Sequence, residues 1–215
     1  MTESSLEAKV HWDQVYEAKS TDELSWFQRQ ATFSMRLIHA AGAAPQSRII
    51  DVGGGASCLP RELLDAGFED VTVLDISAKA LAKAKQALGN RADRIAWIEG
   101  DVTRDTVEGR FDIWHDRAVL HFLTDRGDRV RYRNLLLDAL AANGQAIIAT
   151  FAMDGPERCS GLPVVRYDSA LLSETLGPRL KLVETLREQH VTPGGALQRF
   201  AWFRLRRRKA VEVGR

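Results

Sequence analysis

Three aspartates, Asp51, Asp75 and Asp101, each follow a short apolar run, and the first leads directly into Gly53-Gly54-Gly55. A β-branched run that ends in an acid and glycines reads as a buried strand entering a tight turn. Glycine is required there because only a residue without Cβ turns so sharply and lets a ligand reach the backbone. Parallel sheets bind ligands outside the carboxyl ends of their strands. Three carboxylates at three such ends therefore face one place, and that place suits a nucleoside. Asp75 falls at the distance from the glycines, roughly 20 residues, at which a carboxylate takes both ribose hydroxyls.

Two observations separate a dinucleotide from another adenosine ligand. The fingerprint Gly-x-Gly-x-x-Gly, begun at Gly53, has Cys58 in its third glycine position, so the residue that permits close helix–strand packing is missing. Asp51 lies two residues before Gly53. A pyrophosphate beside it would meet a like charge at a few ångströms, a penalty of about 1 kcal/mol even in water. A cationic ligand reverses that sign. S-adenosylmethionine carries an ammonium and a sulfonium and no phosphate. Asp51 is then placed for the ammonium, the N–H groups of the turn and of the next helix start for the carboxylate, Asp75 for the ribose, and Asp101 with the backbone of Val102 for the adenine.

The elements that position these groups alternate. Strands are expected over Arg48–Val52, Asp70–Asp75, Arg94–Gly100, Phe111–His115 and Gln145–Phe151. Helices are expected over Ser57–Ala66, Ser77–Leu88 and Gly127–Ala142, with Ser57 and Ser77 as caps and Gly67, Gly89 and Asn143-Gly144 as stops. This β-α order predicts an α/β fold with a doubly wound, mostly parallel sheet buried on both faces. After a long loop, Met153–Tyr167, and a helix, Asp168–Leu176, two strands (Lys181–Val191 and Leu197–Arg207) are joined closely enough to form a hairpin, so one of them runs antiparallel. Ahead of all this, residues 1–45 read as a helical extension, with Leu6–Ala41 helical and carrying Trp12, Tyr16, Trp26 and Phe27. These aromatics fasten the extension to the core or form a lid over the glycine turn. Residues 46–215 read as the nucleoside-binding domain.

Asp51-Val52-Gly53-Gly54-Gly55-Ala56-Ser57 resembles the first motif of the class I S-adenosylmethionine-dependent methyltransferases. Val73-Leu74-Asp75-Ile76-Ser77 resembles their second-strand acid motif, Glu99-Gly100-Asp101-Val102 their adenine motif, and Phe111-Asp112 the approach to their fourth-strand motif. Ser57 departs from the pattern, since many members carry a third glycine there. The resemblance implies a seven-stranded sheet ordered 3-2-1-4-5-7-6 with strand 7 antiparallel. It implies S-adenosyl-L-methionine as cofactor, bound by Asp51, Gly53, Gly54, Gly55, Asp75, Ile76, Asp101 and Val102. Trp26 or Tyr16 is placed to lie over the sulfonium by cation–π attraction.

Methyl transfer is an in-line displacement at carbon from a good leaving group, so a protein mainly aligns the nucleophile and excludes water. Candidate groups lie at the end of the fourth strand, in His115-Asp116-Arg117-Ala118-Val119-Leu120-His121. There Asp116 is a candidate to orient or deprotonate an amine, and His121 a candidate base near neutral pH. The same stretch lacks the Asn/Asp-Pro-Pro-Tyr/Phe motif of enzymes that methylate base amino groups. Asp116-Arg117 loosely resembles the Asp-Lys of a group of eukaryotic protein-lysine methyltransferases that act on elongation factor or citrate synthase. His11-Trp12-Asp13-x-x-Tyr16 and Ser25-Trp26-Phe27 resemble that group's N-terminal signature. The acceptor is thus expected to be an N or O on a protein lysine or a small molecule.

Composition bounds the alternatives. A net charge of +1 argues against a protein built around a polyanion. The run Arg204, Arg206, Arg207, Arg208 and Lys209 reads as a solvated strand edge. The two cysteines, Cys58 and Cys159, make neither a disulfide framework nor a metal site. With no signal peptide or membrane span in view, a cytoplasmic setting is expected. A nicotinamide-dependent oxidoreductase, disfavoured by Asp51 and Cys58, and a non-catalytic cofactor-binding module are the competing classes.

Overall fold

The computed structural model describes residues 3–208. Its elements in chain order are α1 (Glu3–Ala18), α2 (Thr32–Ala40), β1 (Arg48–Val52), α3 (Leu59–Asp65), β2 (Asp70–Asp75), α4 (Ala78–Leu88), β3 (Ile95–Glu99), β4 (Phe111–Arg117), α5 (Arg126–Ala139), β5 (Leu140–Phe151), β6 (Arg158–Cys159), β7 (Leu162–Pro163), α6 (Ser169–Leu176), β8 (Leu180–Val191) and β9 (Leu197–Arg207). Seven strands form one sheet in the order β3-β2-β1-β4-β5-β9-β8. The first five pair in parallel, and β9 runs antiparallel to both β5 and β8. The predicted order and the antiparallel seventh strand are both present.

Successive residues of the central strands face opposite cores, as the two-residue period of a strand requires. On β1, Ile49 packs with α2 and α3, whereas Ile50 packs with α5 and α6. On β4, Ile113 joins the first core and Trp114 the second. The same alternation carries past the apolar residues to the polar ones. Asp51 and His115 are register partners on the α2–α3 face; Asp116, one residue on, faces α5.

Three boundaries differ from the sequence expectation. The N-terminal segment is not one helical stretch. A 3-10 turn at Thr21–Glu23 and extended chain separate α1 from α2, because Ser20 starts the turn, its N–H donating to Glu23 Oε2 at 2.8 Å. Helix α5 ends at Ala139, three residues before the expected stop. The carbonyls of Leu137 and Leu140 accept from Arg207, which satisfies that helix end from across the sheet. Asn143-Gly144 then lies where the β4–β5 register shifts, not at a helix terminus. Helix α3 starts at Leu59, flanked by Cys58, while Ser57 Oγ still accepts the Leu59 N–H at 3.0 Å. The long loop after β5 folds into the short β6–β7 hairpin.

The basic run also needs correction. It lies on β9, an interior strand between β5 and β8, so it does not guard an edge. Arg204 is tied to Glu184 and Gln145, and Arg207 to the end of α5. Lys209 lies outside the described residues.

Candidate functional site

A cavity of about 360 Å³ opens at the carboxyl ends of β1, β2 and β4. Gly53, Asp75, Ile76, Asp101 and Val102 line it on the side of β1–β3. Helix α1 roofs it with Ser5, Ala8, Trp12 and Tyr16, one face of the helix by their spacing. Trp26 joins the roof, edge-on to both Trp12 and Tyr16. The far side is made by Arg117, His121, Phe122, Cys159, Gln198 and Phe200. A smaller recess adjoins it, lined by Asp51, Gly54, Ser34, His115 and Cys58, and it shares Gly53, Tyr16, Trp26 and Arg117 with the main cavity.

The acids hold the glycine turn together. Asp75 is buried, and its two oxygens accept from Gly55 N–H at 3.0 Å and Ser77 N–H at 2.8 Å. Burial pushes its pKa up to about 6, against the pull of those two hydrogen bonds. A Cβ on Gly55 would lie 2.6 Å from Asp75 Oδ2 and 2.5 Å from Ala80 Cβ; one on Gly54 would lie 2.3 Å from Asp51 Oδ2. The turn is therefore glycine because it is folded onto two carboxylates and a helix. Gly55 itself does not line the cavity but supports Asp75. Asp101 accepts from Thr103 N–H and Oγ–H through Oδ1, and from Ser5 Oγ–H, at 2.6 Å, through Oδ2.

Asp51 is 2% exposed. Its Oδ1 meets His115 Nδ1 at 2.7 Å, and His115 Nε2 meets Ser34 Oγ at 2.9 Å. With Nδ1–H donating to the carboxylate, Nε2 accepts from the serine hydroxyl. Asp51 Oδ2 is buried with no partner among the described residues. A lone buried carboxylate oxygen beside a glycine cradle fits a ligand that brings a positive donor.

The end of β4 departs from expectation. Asp116 is fully buried, does not line the cavity, and has its oxygens occupied. Oδ1 accepts from Val119 N–H at 2.7 Å; Oδ2 accepts from Leu120 N–H at 3.1 Å and Tyr132 O–H at 2.5 Å. Burial raises its pKa to about 6. It is not placed to deprotonate an acceptor. Instead it fixes the turn after β4, where Ala118 adopts φ +77°, a left-handed conformation strained for a residue with a side chain. His121 does line the cavity, but burial and nearby Arg117 lower its pKa to about 3, so it stays neutral. Its Nδ1 accepts the Phe151 N–H at 3.3 Å, which puts the proton on Nε2, an atom with no partner among the described residues. His121 thus presents an Nε2–H donor on the cavity wall.

Arg117, which the sequence reading does not place among the candidates, also reaches the cavity wall. Its side chain lines both cavities, with Cζ 4.7 Å from the Phe200 ring centroid. Nη1–H donates to the Trp26 carbonyl at 3.0 Å. Nε and Nη2 are buried without partners among the described residues, and burial lowers the pKa. The signal was available: on a strand, residues 115 and 117 share a face, so Arg117 lies with His115 and Asp51 and not with Asp116. Burial pushes the Cys58 thiol up to about 11 and raises that of Cys159, away from the thiolate form.

Residues 49–144 match the family described as "Methyltransferase domain". That stretch holds the glycine turn and all three strand-end acids, and S-adenosylmethionine is the cofactor of methyltransferase domains of this kind. Among solved structures, the 1,6-didemethyltoxoflavin-N1-methyltransferase of Burkholderia thailandensis, crystallised with 1,6-didemethyltoxoflavin and S-adenosylhomocysteine, is 21% identical, with a TM-score of 0.71 over 96% of this chain and 91% of that one. The N-methyltransferase NodS of Bradyrhizobium japonicum is also 21% identical, with a TM-score of 0.66 over 83% and 94%. These likenesses show the fold. In sequence, the EEF1A lysine methyltransferase 4 of Mus musculus is 32% identical over 112 residues, 51% of this chain and 43% of the relative. The eEF1A lysine and N-terminal methyltransferase of Mus musculus is 20% identical over 58% of this chain. The chain spans 43% and 18% of the length of these two relatives. Among the described residues no helix is long and apolar enough to cross a membrane, and no metal-ligating cluster is present.

Proposed function

We propose that this protein transfers a methyl group from S-adenosylmethionine to a nitrogen or oxygen of a small molecule. The orphaned Asp51 Oδ2 beside a glycine turn carries the cofactor half of that reading. In it, Asp51 holds the ammonium, Asp75 and Ile76 the ribose, and Asp101 with Val102 the adenine. Tyr16 and Trp26 cover the sulfonium. Residues 1–45 act as the lid and residues 46–215 as the catalytic domain.

The cofactor supplies an activated methyl on a leaving group that needs no protonation. The chain's own residues then have three tasks. The aromatic roof of Trp12, Tyr16 and Trp26 excludes water. Asp116 fixes the turn that carries Val119 and His121 and so acts at a distance from the acceptor. His121 Nε2–H orients the acceptor by donating to it. No proton needs to reach either residue: a neutral nitrogen nucleophile attacks through its lone pair and sheds its proton after transfer, when the product meets solvent, and an oxygen nucleophile enters already ionised.

The lysine alternative draws on the similarity to elongation-factor lysine methyltransferases. Its residue-level basis is Asp116-Arg117 with the stretches His11-Trp12-Asp13-x-x-Tyr16 and Ser25-Trp26-Phe27; of these Asp116 is sequestered, and a neutral donor at the methyl end suits a neutral or acidic nucleophile better than an ammonium. Incubating a cell extract with methyl-labelled cofactor and separating products by size tests the choice. Label in the low-molecular-mass fraction is expected; label confined to protein would overturn the small-molecule reading, and no transfer at all would favour a binding module.

A further inference from the structure

The recess beside the glycine turn holds two unsatisfied groups of opposite charge. Asp51 presents Oδ2, and Arg117 presents Nε and Nη2, all buried and without partners among the described residues. They lie on the same face of the sheet, at neighbouring strand ends. They form no ion pair with each other among the described residues, and each has another hydrogen bond. His115 occupies Asp51 Oδ1 at 2.7 Å, and the Trp26 carbonyl occupies Arg117 Nη1 at 3.0 Å. Glu188, the acid that acts most strongly on the Arg117 charge, has its oxygens taken by Gln28 at 2.8 Å and Trp202 at 2.7 Å.

A simple anion would satisfy the guanidinium and face the bare carboxylate; a simple cation would do the reverse. Only a ligand with both charges close together satisfies the pair. An α-amino acid end, with ammonium and carboxylate on one carbon, is that ligand. The unpaired atoms of Arg117 also have the right form. Nε–H and Nη2–H are the side-on edge of a guanidinium, two parallel donors matched to the two oxygens of a carboxylate. Desolvated charges without partners are costly to retain, so a pair kept apart this way points to a bound group that bridges them.

We infer that Arg117 reads the carboxylate of the cofactor's amino-acid end while Asp51 holds its ammonium, so that this protein selects its adenosyl ligand by the complete zwitterion. The inference rests on the methyltransferase reading and adds a specificity residue to it. His115 and Ser34 are positioning residues: they fix which Asp51 oxygen is left over.

Decarboxylated S-adenosylmethionine keeps the adenosine, the sulfonium and the amine and lacks only the carboxylate, so it isolates the contact. Calorimetric titration of the full chain should show S-adenosylmethionine binding about 10- to 100-fold tighter than the decarboxylated compound, the range set by one charge-assisted hydrogen-bonded pair. Arg117→Gln should weaken S-adenosylmethionine by the same factor and leave the decarboxylated compound within about threefold, removing the discrimination. Equal binding of the two ligands by the wild-type protein would overturn the inference and hand Arg117 to the acceptor. So would an Arg117→Gln protein that loses both ligands equally while keeping its native melting transition. The wild-type comparison stands even if the variant does not fold. Failure of the wild-type protein to bind S-adenosylhomocysteine at all would remove the cofactor reading itself, an outcome distinct from equal binding.

Discussion

The two halves of the cavity are built on different plans. On the β1–β3 side the polar groups are acids whose oxygens accept from nearby backbone: Asp75 from Gly55 and Ser77, Asp101 from Thr103. On the far side, His121 and Gln198 come from the turn after β4 and from β9, and each keeps a buried polar atom without a partner among the described residues. The first half is preorganised around itself and asks a ligand to join an existing network. The second is left open and takes its definition from what binds. That contrast suits a protein whose one ligand is shared by a large family and whose other ligand is its own.

The comparison is most exposed at the glycine turn. Gly55→Ala places a methyl 2.5 Å from Ala80 Cβ and 2.6 Å from Asp75 Oδ2; a fixed wall must shift, so the variant should lose about 1–3 kcal/mol of stability and cofactor binding with it, as read by melting with and without S-adenosylhomocysteine. Retained binding would mean that the preorganised half is soft. Asp75→Ala should weaken S-adenosylhomocysteine by roughly 1.5–3 kcal/mol in calorimetry, and unchanged affinity would place Asp75 outside the adenosine contact. Asp116→Asn should cost about 1–3 kcal/mol of stability in urea denaturation, since an amide cannot accept all three hydrogen bonds, while cofactor affinity changes little; the opposite pattern would return Asp116 to the site.

Acidity sharpens the same contrast. The Asp75 pKa rises from 3.8 to about 6 on burial. Its ionisation therefore lowers the stability of the unliganded fold: the contribution is whole below 3.8 and is lost as pH climbs through about 6. Ribose hydroxyls need the ionised form, so cofactor affinity should fall as pH drops below about 6, approaching tenfold per pH unit, and a flat profile from pH 5 to 8 would disprove it. The smallest effect belongs to His121→Phe, which should leave cofactor affinity unchanged and alter only turnover. Because His121 stays neutral above about 3, it should contribute no inflection near pH 6.5 to the rate profile of the wild-type protein.

The cofactor half was legible because it is local. A strand, an acid and a glycine turn occupy ten consecutive residues, Arg48–Ser57, and the other two acids repeat the strand-end position. The mostly parallel sheet followed from the same alternation, and its strand order from the resemblance to the methyltransferase family. What sequence did not deliver was long-range. Arg207 ends α5 from the other side of the domain, and Tyr132, sixteen residues away on a helix, claims Asp116. Composition singled out Asp116 and His121 as reactive types. Burial made one a structural cap and the other a neutral donor, each completed by a partner distant in sequence, Tyr132 and Phe151. Arg117 was within reach, since counting by twos along β4 places it beside His115.

Helix α1 carries a last consequence. Ser5 donates to the oxygen of Asp101 that an adenine amino group would use, and Asp13 accepts from Ser77 beside the ribose acid. A nucleoside arriving there exchanges one hydrogen bond for another and gains little net energy from that oxygen. On the proposed lid reading, the swap is felt in time more than in affinity: α1 gives up its contact with Asp101 as the adenine settles. Indole emission from Trp12 on that helix offers a clock for the opening.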